Sequence, residues 1–196
     1  MQSTFFAIVS RMKYIDRWAL MRSSRPENLS EHSLEVAMIA HALCTIGNVR
    51  YGRGLDASRA ALVGLYHDAS EIITGDMPTP VKYHDRHIRD AYREVEREAE
   101  MTLLQKLPDD LRGAYADLFE VGDTQDAYLH RLVKAADRIS ALIKCVDEAQ
   151  AGNAEFRTAE ATTRRKVDDL RGELPEVGDF VDEFLPPYGS TLDELL

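Results

Sequence analysis

Four side chains with metal-binding chemistry are spread along the sequence. His67 and Asp68 are adjacent, whereas His32 and Asp137 lie in two other segments. Imidazole nitrogens and carboxylate oxygens together suit divalent first-row metals. Asp137 interrupts an otherwise apolar helical stripe, where an unpaired carboxylate is costly to bury unless a cation or an ion-pair partner lies close by. The order His, then His-Asp, then Asp predicts a metal site, although each residue alone is more typical of an ordinary hydrogen-bonded side chain.

Glu71 follows His67 by four residues. An α-helix turns by about 100° per residue, so His67, Asp68 and Glu71 would share an arc of about 100° on one helix face. That face flanks the apolar stripe, which puts an imidazole and two carboxylates at the edge of the core. Such a cluster is costly unless something neutralises its charge.

Hydrophobic periodicity indicates helices along most of the chain. The predicted helices cover residues 4–14, 28–48, 56–75, 84–107, 108–119, 128–150 and 154–170, and the tail beyond about residue 172 is predicted to be partly irregular. Asn28 with Glu31 resembles a capping box, and Asp56 or Ser58 could cap the third helix. No strand, repeat or linker is evident. The sequence therefore predicts an all-α fold, a single-domain helical bundle over residues 1–196 with one core.

Apolar residues at helical spacing also predict which faces are buried. The second helix is predicted to carry one face made of Leu34, Ala37, Met38, His41, Ala42 and Thr45. The third is predicted to bury a stripe made of Leu62, Leu65, Tyr66, Ala69, Ile72 and Ile73. Two prolines exclude a helix over residues 76–80, so a rigid loop is expected there. Cys44 and Cys145 have no paired spacing and are predicted to be buried free thiols.

The composition, 44% hydrophobic and 30% charged, is that of a protein that folds in water. A net charge of −10 argues against a nucleic-acid polymer as partner, because phosphate backbones require clustered Lys and Arg. A small phosphorylated ligand remains compatible with this charge, since a metal and a few basic residues can supply a local positive site. Charged residues break the N-terminal apolar run, no cleavage-like site follows it, and no stretch approaches about 18 apolar residues. We therefore expect a cytoplasmic protein without membrane contact.

The pattern H…HD…D resembles that of the HD-domain phosphohydrolase superfamily. The segments EHSLEVAMIAHAL, LYHDASEIITGDMPTPVKY and LVKAADRISALIKC carry this resemblance, and residues 3–160 look closely like bacterial HD-domain 5′-deoxynucleotidases. The resemblance implies a helical bundle in which His32, His67, Asp68 and Asp137 hold one divalent cation. Mn²⁺, Co²⁺, Fe²⁺ and Zn²⁺ all suit two nitrogens and two carboxylates. It also implies a homodimer that hydrolyses deoxynucleoside 5′-monophosphates to deoxynucleoside and orthophosphate, with little base preference.

The resemblance further implies roles for residues around the metal. Glu71 and Asp76 match the catalytic carboxylates of the family, Glu71 in proton transfer and Asp76 in placing the sugar and phosphate. Arg17 matches a phosphate contact, and Trp18 a residue that packs against the sugar and excludes a 2′-hydroxyl. A substrate-binding loop is matched by Thr79, Pro80, Val81 and Lys82. Simpler interpretations stay open, namely a surface carboxylate for Glu71, a turn former for Asp76, a core anchor for Trp18 and a solvated lysine for Lys82.

Other functions remain open on the sequence. An HD-type deoxynucleoside triphosphate triphosphohydrolase, such as a dATP-specific phage-type enzyme, would use the same ligands and release triphosphate. It would need further cations for the outer phosphates, and Arg22, Arg25, Arg86 and His87 are available. A catalytically silent HD module that binds a nucleotide would be expected to lack a ligand, whereas all four ligands and Glu71 are present here. A cyclic-dinucleotide phosphodiesterase would be expected to carry more metal ligands.

Overall fold

The computed structural model describes residues 2–78, 81, 85–119, 122 and 124–196. The first half of the chain contains α1 (Phe5–Val9), a 3₁₀ turn (Ser10–Tyr14), β1 (Asp16–Arg17), β2 (Glu27–Asn28), α2 (Leu29–Tyr51), α3 (Ala57–Tyr66) and α4 (Glu71–Thr74). The second half contains α5 (Arg86–Leu104), α6 (Asp109–Ala116), α7 (Thr124–Gln150), a 3₁₀ turn (Ala154–Phe156), α8 (Arg157–Arg171), α9 (Pro175–Glu183) and α10 (Leu192–Leu195). Within these residues, no helix combines the length and apolarity needed to cross a membrane.

The capping box predicted at the start of α2 is confirmed. The Asn28 side chain accepts the backbone N–H groups of Ser30 and Glu31 at 3.0 and 3.1 Å, and the Glu31 carboxylate accepts the N–H of Asn28 at 3.3 Å. These bonds satisfy amide donors that a helix start otherwise leaves unpaired. The start of α2, and with it the position of His32 in the first turn, is fixed locally by sequence.

The end predicted for α2 is wrong. The helix passes through Gly47 and ends only after Tyr51, where Gly52 takes a left-handed conformation with φ of 63°. Gly47 is buried, and a Cβ there would come within 3.0 Å of the Glu176 Oε1 atom. This glycine therefore provides space for the approach of α9 and does not stop the helix.

The face predicted for α2 is buried only in part, at Ala37 and, less completely, at Ala42. Val36, Ala40 and Leu43 are fully buried, whereas Leu34 and Met38 remain 54% and 59% exposed. His41 and Thr45 are exposed as well. The helix carries apolar residues on nearly every side, so periodicity could not identify the face that packs against its neighbours.

The third helix predicted for residues 56–75 is interrupted. Asp56 caps α3 by accepting the N–H of Arg59 at 2.9 Å, as predicted. The helix then ends at Tyr66, and residues 67–70 form a turn before α4 begins at Glu71. Bonds between residues three apart, such as Glu71 N–H to the Asp68 carbonyl at 3.0 Å, tighten the chain here. The assumed regular spacing of 100° does not apply to this segment. Its predicted buried stripe is confirmed for Ala69 and in part for Tyr66 and Ile72, whereas Leu62, Leu65 and Ile73 are exposed.

A small antiparallel hairpin was not predicted. Asp16 pairs with Asn28 and Arg17 pairs with Glu27. Each strand has only two residues, too few to show the alternation by which strands are identified. The hairpin closes a loop over residues 18–26, in which Trp18 has a positive φ of 58°.

Two hydrophobic clusters replace the one core that we expected. The larger cluster lies between α2, α3, α7, α8 and α9, and includes Val36, Leu132, Ile139 and Val177. The smaller one joins the N-terminal segment to α5 through Phe5, Leu29 and Leu103. Leu29, at the start of α2, belongs to the second cluster while the rest of that helix packs in the first, so α2 connects the two.

The chain beyond residue 172 is more regular than predicted, because α9 packs with Leu174, Val177 and Phe180 against the larger cluster.

The prediction of two buried free thiols is confirmed for Cys44 and Cys145. Burial raises the pKa of each thiol to about 12. Neither cysteine is poised to react as a thiolate.

Candidate active site

His32, His67 and Asp68 converge on one point although they come from different elements. One ligand atom from each lies within 4.8 Å of the other two. The His67 Nε2 atom is 3.0 Å from Asp68 Oδ2, and the His32 Nε2 atom is 3.7 Å from the same oxygen. Asp137 approaches from α7, with its Oδ1 atom 3.2 Å from His32 Nε2. The structure thus brings all four residues of the sequence pattern together.

The elements that carry the cluster pack tightly. His32 lies in the first turn of α2, His67 and Asp68 in the turn after α3, and Asp137 midway along α7. Helices α2 and α3 approach closely because Gly64 has no side chain, since a Cβ there would lie 2.8 Å from the Cα of Ala37. The sequence positions are far apart, but the packed helices make them neighbours.

Each histidine has its Nδ1 atom engaged on the side away from the cluster. The His67 Nδ1 atom lies 2.8 Å from the Gly64 carbonyl oxygen, which can only accept, so Nδ1 carries the hydrogen. The His32 Nδ1 atom lies 3.0 Å from the Ser140 hydroxyl. Both Nε2 atoms are buried and have no hydrogen bond within the described residues, despite the nearby carboxylates. Two unsatisfied buried nitrogens facing carboxylate oxygens fit a cation between them.

The charges in this cluster depend on one another. Burial, followed by Arg17, lowers the pKa of His32, which favours the neutral imidazole. Burial opposes charge on His67 too, but Asp68 and then Asp137 outweigh it and raise the pKa of His67 to about 9. Burial alone would raise the pKa of Asp137, yet the nearby histidines lower it. The pKa values of Asp68 and Asp137 are both lowered, so negative charge is retained beside the two imidazoles, and a cation there would compete with a proton for His67.

Glu71 is buried, which removes the interpretation as a surface carboxylate. It is the first residue of α4, and its side chain is 7% exposed. Its N–H donates to the carbonyl of Asp68, so its backbone is one tight turn away from the cluster. The structure therefore places a buried carboxylate in the element that directly follows the His67-Asp68 turn.

Arg17 and Trp18 are held by the same carboxylate. Glu27 Oε2 accepts Arg17 Nη1 at 2.9 Å and Trp18 Nε1 at 3.1 Å. The side chains of Arg17 and Glu27 are each only 13% exposed. Arg17 contributes to the lowered pKa values of His32 and Asp137, so its charge acts on the cluster. Trp18 is half-buried and its ring packs against Phe156, with ring centroids 5.3 Å apart.

Asp76 lies in the loop after α4. It is exposed and follows Gly75, whose φ is 74°. Tyr92 of α5 steadies the start of this loop, because its hydroxyl lies 3.2 Å from Thr74 Oγ1 and 3.3 Å from the Gly75 carbonyl oxygen. Val81 is 49% exposed. The remaining predicted loop residues, Thr79, Pro80 and Lys82, lie outside the described residues.

The other candidate residues occupy separate surroundings. His41 and His87 are exposed, His130 lies 3.5 Å from Asp126, and His84 falls outside the described residues. Two of the cations considered for outer phosphates already have partners, with Arg22 2.6 Å from Glu155 and Arg25 3.5 Å from Glu31. Arg86 is exposed at the start of α5.

Three residues at the site were missed in the sequence. Glu27 links Arg17 to Trp18, and no motif marks it. Ser140 contacts His32, and Glu35 accepts a hydrogen bond from Ser140 at 2.6 Å. Ser140 lies three residues after Asp137 and so on the same side of α7, which is the one signal that could have found it.

Comparison with known proteins assigns the chain to a family. Residues 4–188 match the family described as 5′-deoxynucleotidase YfbR-like. The chain belongs to the YfbR-like family. A 5′-deoxynucleotidase of Erwinia tasmaniensis is 46% identical over 193 residues, which cover 98% of this chain and 96% of that protein. The resemblance identified from the H…HD…D pattern is confirmed.

Solved structures share the fold of this YfbR-like chain. An HD-domain phosphohydrolase of Listeria innocua superposes with a TM-score of 0.81 at 23% identity, covering 96% of this chain and 90% of that one. A cyanophage S-2L HD phosphohydrolase, bound to dA and one catalytic Zn²⁺ ion, superposes with a TM-score of 0.56 at 20% identity, covering 86% and 87%. The predicted all-α bundle of the HD-domain type is confirmed.

Proposed function

We propose that this chain hydrolyses 2′-deoxynucleoside 5′-monophosphates to deoxynucleoside and orthophosphate at one divalent cation held by His32, His67, Asp68 and Asp137. The observation that carries the proposal is the convergence of these four side chains, with both histidine Nε2 atoms buried and lacking a hydrogen bond in the described chain. The broad base range implied by the family resemblance is part of the proposal.

The enzyme class is the confirmed part of this assignment. Family membership and the Erwinia relative, matched over nearly the full length of both chains, support a 5′-deoxynucleotidase. The triphosphohydrolase alternative gains no support. Four cations are available to it for outer phosphates, and two of them, Arg22 and Arg25, form exposed ion pairs with Glu155 and Glu31.

The cation is expected to be one of Mn²⁺, Co²⁺, Fe²⁺ and Zn²⁺. When bound, it would supply Lewis-acid polarisation of the phosphoryl group. Two neutral imidazoles and two carboxylates accommodate each of these ions. The Zn²⁺ in the cyanophage protein makes zinc one ion to test here.

Glu71 is proposed to move the proton. Water attacks phosphorus in line with the P–O5′ bond, and Glu71 takes a proton from that water as its oxygen bonds to phosphorus. The P–O5′ bond breaks, and the proton reaches the departing 5′ oxygen. Two observations support this role: Glu71 is buried, and its backbone lies one turn after Asp68.

Substrate placement is proposed to involve the loop and hairpin residues. Arg17 would offset phosphate charge, and Trp18 would pack against the deoxyribose where a 2′-hydroxyl would collide. Their shared acceptor Glu27 holds both side chains in place. Asp76 would place the sugar and phosphate as a second catalytic carboxylate, and Thr79, Pro80, Val81 and Lys82 would complete the substrate loop. The homodimer, the cytoplasmic location and the single domain remain predictions.

One experiment tests the proposal. Metal-stripped protein is incubated with dAMP, AMP and dATP while Mn²⁺, Co²⁺, Zn²⁺ and Mg²⁺ are supplied one at a time, and every product is identified by chromatography. We expect deoxyadenosine and orthophosphate from dAMP, with AMP spared. Triphosphate released from dATP alone would favour the triphosphohydrolase, and no turnover with any metal would favour a silent binding module. Light scattering of the purified chain tests the homodimer separately.

A further inference from the structure

A hydrogen-bonded chain runs from His32 away from the proposed metal site. The His32 Nδ1 atom lies 3.0 Å from Ser140 Oγ, and the Ser140 hydroxyl donates to Glu35 Oε2 at 2.6 Å. His32 and Ser140 are both completely buried. Glu35 is half-buried and lies one helical turn after His32 on α2. Helices α2 and α7 therefore meet through a polar contact directly behind a proposed ligand.

The direction of the hydrogen bond from Ser140 to Glu35 decides which ring nitrogen of His32 carries the hydrogen. A serine hydroxyl has one hydrogen, and an ionised carboxylate can only accept. Because the Ser140 hydrogen points to Glu35, Ser140 offers only lone pairs to His32. The Nδ1 atom must then carry the imidazole hydrogen, which leaves the Nε2 lone pair directed towards Asp68 and Asp137.

The tautomers of His32 and His67 are fixed by different kinds of hydrogen-bond partner. The Nδ1 atom of His67 faces the Gly64 backbone carbonyl, which has no hydrogen to donate and so admits only one tautomer. Ser140 could donate to His32 instead, which would place the hydrogen on Nε2 and abolish its metal-binding lone pair. A third group is therefore needed to orient the Ser140 hydroxyl, and Glu35 occupies that place.

We propose that Ser140 and Glu35 are positioning residues that hold His32 in the tautomer and orientation that bind the cation. This inference rests on the metal site of the proposed function. Outer partners of metal-binding histidines commonly fix the ring and its tautomer, and their loss typically weakens metal affinity by about 10–100-fold.

The test measures the dissociation constant of Co²⁺ or Zn²⁺ for metal-stripped protein by competition with a chromophoric chelator. We expect Ser140→Ala to weaken binding by about 10–100-fold. The matched control is Ser33→Ala, which removes a buried hydroxyl beside His32 that has no hydrogen bond within the described residues. We expect Ser33→Ala to bind the metal within about threefold of the wild type, well below the effect of an outer partner.

Two variants of Glu35 separate orientation from simple packing. Glu35→Gln keeps an oxygen that accepts the Ser140 hydrogen, whereas Glu35→Met fills similar space without an acceptor. We expect Glu35→Met to weaken metal binding by about tenfold or more and Glu35→Gln to weaken it less. If Ser140→Ala fails to fold, the two Glu35 variants still test the positioning role by their metal affinity. Equal metal affinity in Glu35→Met and the wild type would overturn the proposal.

The same assay distinguishes failure of this proposal from failure of the metal site. If His32→Ala abolishes binding while Ser140→Ala and Glu35→Met match the wild type, the site stands and the positioning role is wrong. If His32→Ala binds metal like the wild type, both proposals are wrong. A purely structural role for Ser140 would lower the unfolding temperature of the metal-free protein and leave its metal affinity below that temperature unchanged.

Discussion

Gly64 of α3 lies against the backbone of Ala37 in α2. A Cβ on Gly64 would come 2.8 Å from the Cα and 3.0 Å from the N of Ala37. Both contacts are to backbone, so relief requires the two helices to separate. The carbonyl of Gly64 also accepts Nδ1–H of His67. One glycine thus sets the distance between two helices and the orientation of a proposed metal ligand.

Gly64→Ala is expected to destabilise the fold and weaken metal binding together. Overpacking of this kind costs about 1–3 kcal/mol, and the shift of α3 would move His67 relative to His32. Urea unfolding measures the free energy of unfolding, and chelator competition measures the metal dissociation constant. Gly113→Ala is the control, because a Cβ there meets no atom within 4 Å. It should leave metal binding unchanged and stabilise helix α6 slightly.

Glu71→Gln is expected to lower kcat while leaving the metal in place. The amide cannot accept a proton, and loss of general base catalysis typically costs about 10²–10⁴-fold. Metal affinity should change little, since Glu71 is not proposed as a ligand. Steady-state hydrolysis of dAMP and metal competition measure the two effects. Glu98→Gln, an exposed carboxylate on α5, provides the control. A kcat close to that of the wild type would remove Glu71 from the mechanism.

Trp18→Ala is expected to reduce the preference for dAMP over AMP. A steric filter for one small group is typically worth about tenfold or more in kcat/KM, and the variant removes the ring that would collide with the 2′-hydroxyl. The measurement is the ratio of kcat/KM for the two nucleotides. Tyr14→Ala removes another aromatic ring, one that is 68% exposed, and should leave the ratio unchanged. An unaltered ratio in Trp18→Ala would show that the ring is only a structural anchor.

Glu148→Gln is expected to destabilise the protein in a pH-dependent manner. Burial opposes ionisation, but Lys144 and the N–H groups of Ser24 and Asn153 outweigh it and lower the pKa of Glu148 from 4.5 to about 2. Its stabilisation is therefore complete above pH 4.5 and is lost as the pH falls towards 2.

Urea unfolding at several pH values tests this expectation. At pH 7 the variant should lose about 1–3 kcal/mol, because hydrogen-bond donors and Lys144 lose a charged partner. The difference from the wild type should shrink as the pH is lowered below 4.5. Glu173→Gln, which removes an exposed pair with Arg131, should cost less than about 1 kcal/mol. A difference that does not depend on pH would contradict the assigned ionisation.

The residues of the proposed metal site could be predicted because their types and order form a recognisable pattern. Asp137 interrupts an apolar stripe, and with His32 and His67-Asp68 it completes the pattern that resembles the HD-domain superfamily. The start of α2 was equally predictable, since the Asn28–Glu31 capping box is local. Neither conclusion needed knowledge of how the helices pack.

Features that depend on packing could not be predicted. Leu34 and Met38 form an apolar row at helical spacing, yet they face outward because α2 has a second apolar side that fits α3 and α7 better. The turn at residues 67–70 breaks a run that periodicity reads as continuous helix. Two-residue strands give no periodic signal at all.

The residues that contact the site residues from outside could not be predicted for a related reason. Glu35, Ser140 and Glu27 are ordinary polar residues whose significance comes from contacts across 105, 108 and 10 positions of sequence separation. A single sequence records each residue type but not which distant group it faces. Only the assembled helices reveal that Ser140 stands between His32 and Glu35.

Helix α7 carries the residues of two separate regions along one side. Asp137 and Ser140 belong to the proposed metal site, while Lys144 and Glu148 hold the loop that follows Trp18. They are three, four and four residues apart, which keeps them nearly aligned on a helix. One residue inserted between positions 140 and 144 would rotate the later pair by about 100° away from the earlier pair. We therefore expect an insertion or deletion between positions 140 and 144 to disrupt one of the two regions, even where single substitutions there are tolerated.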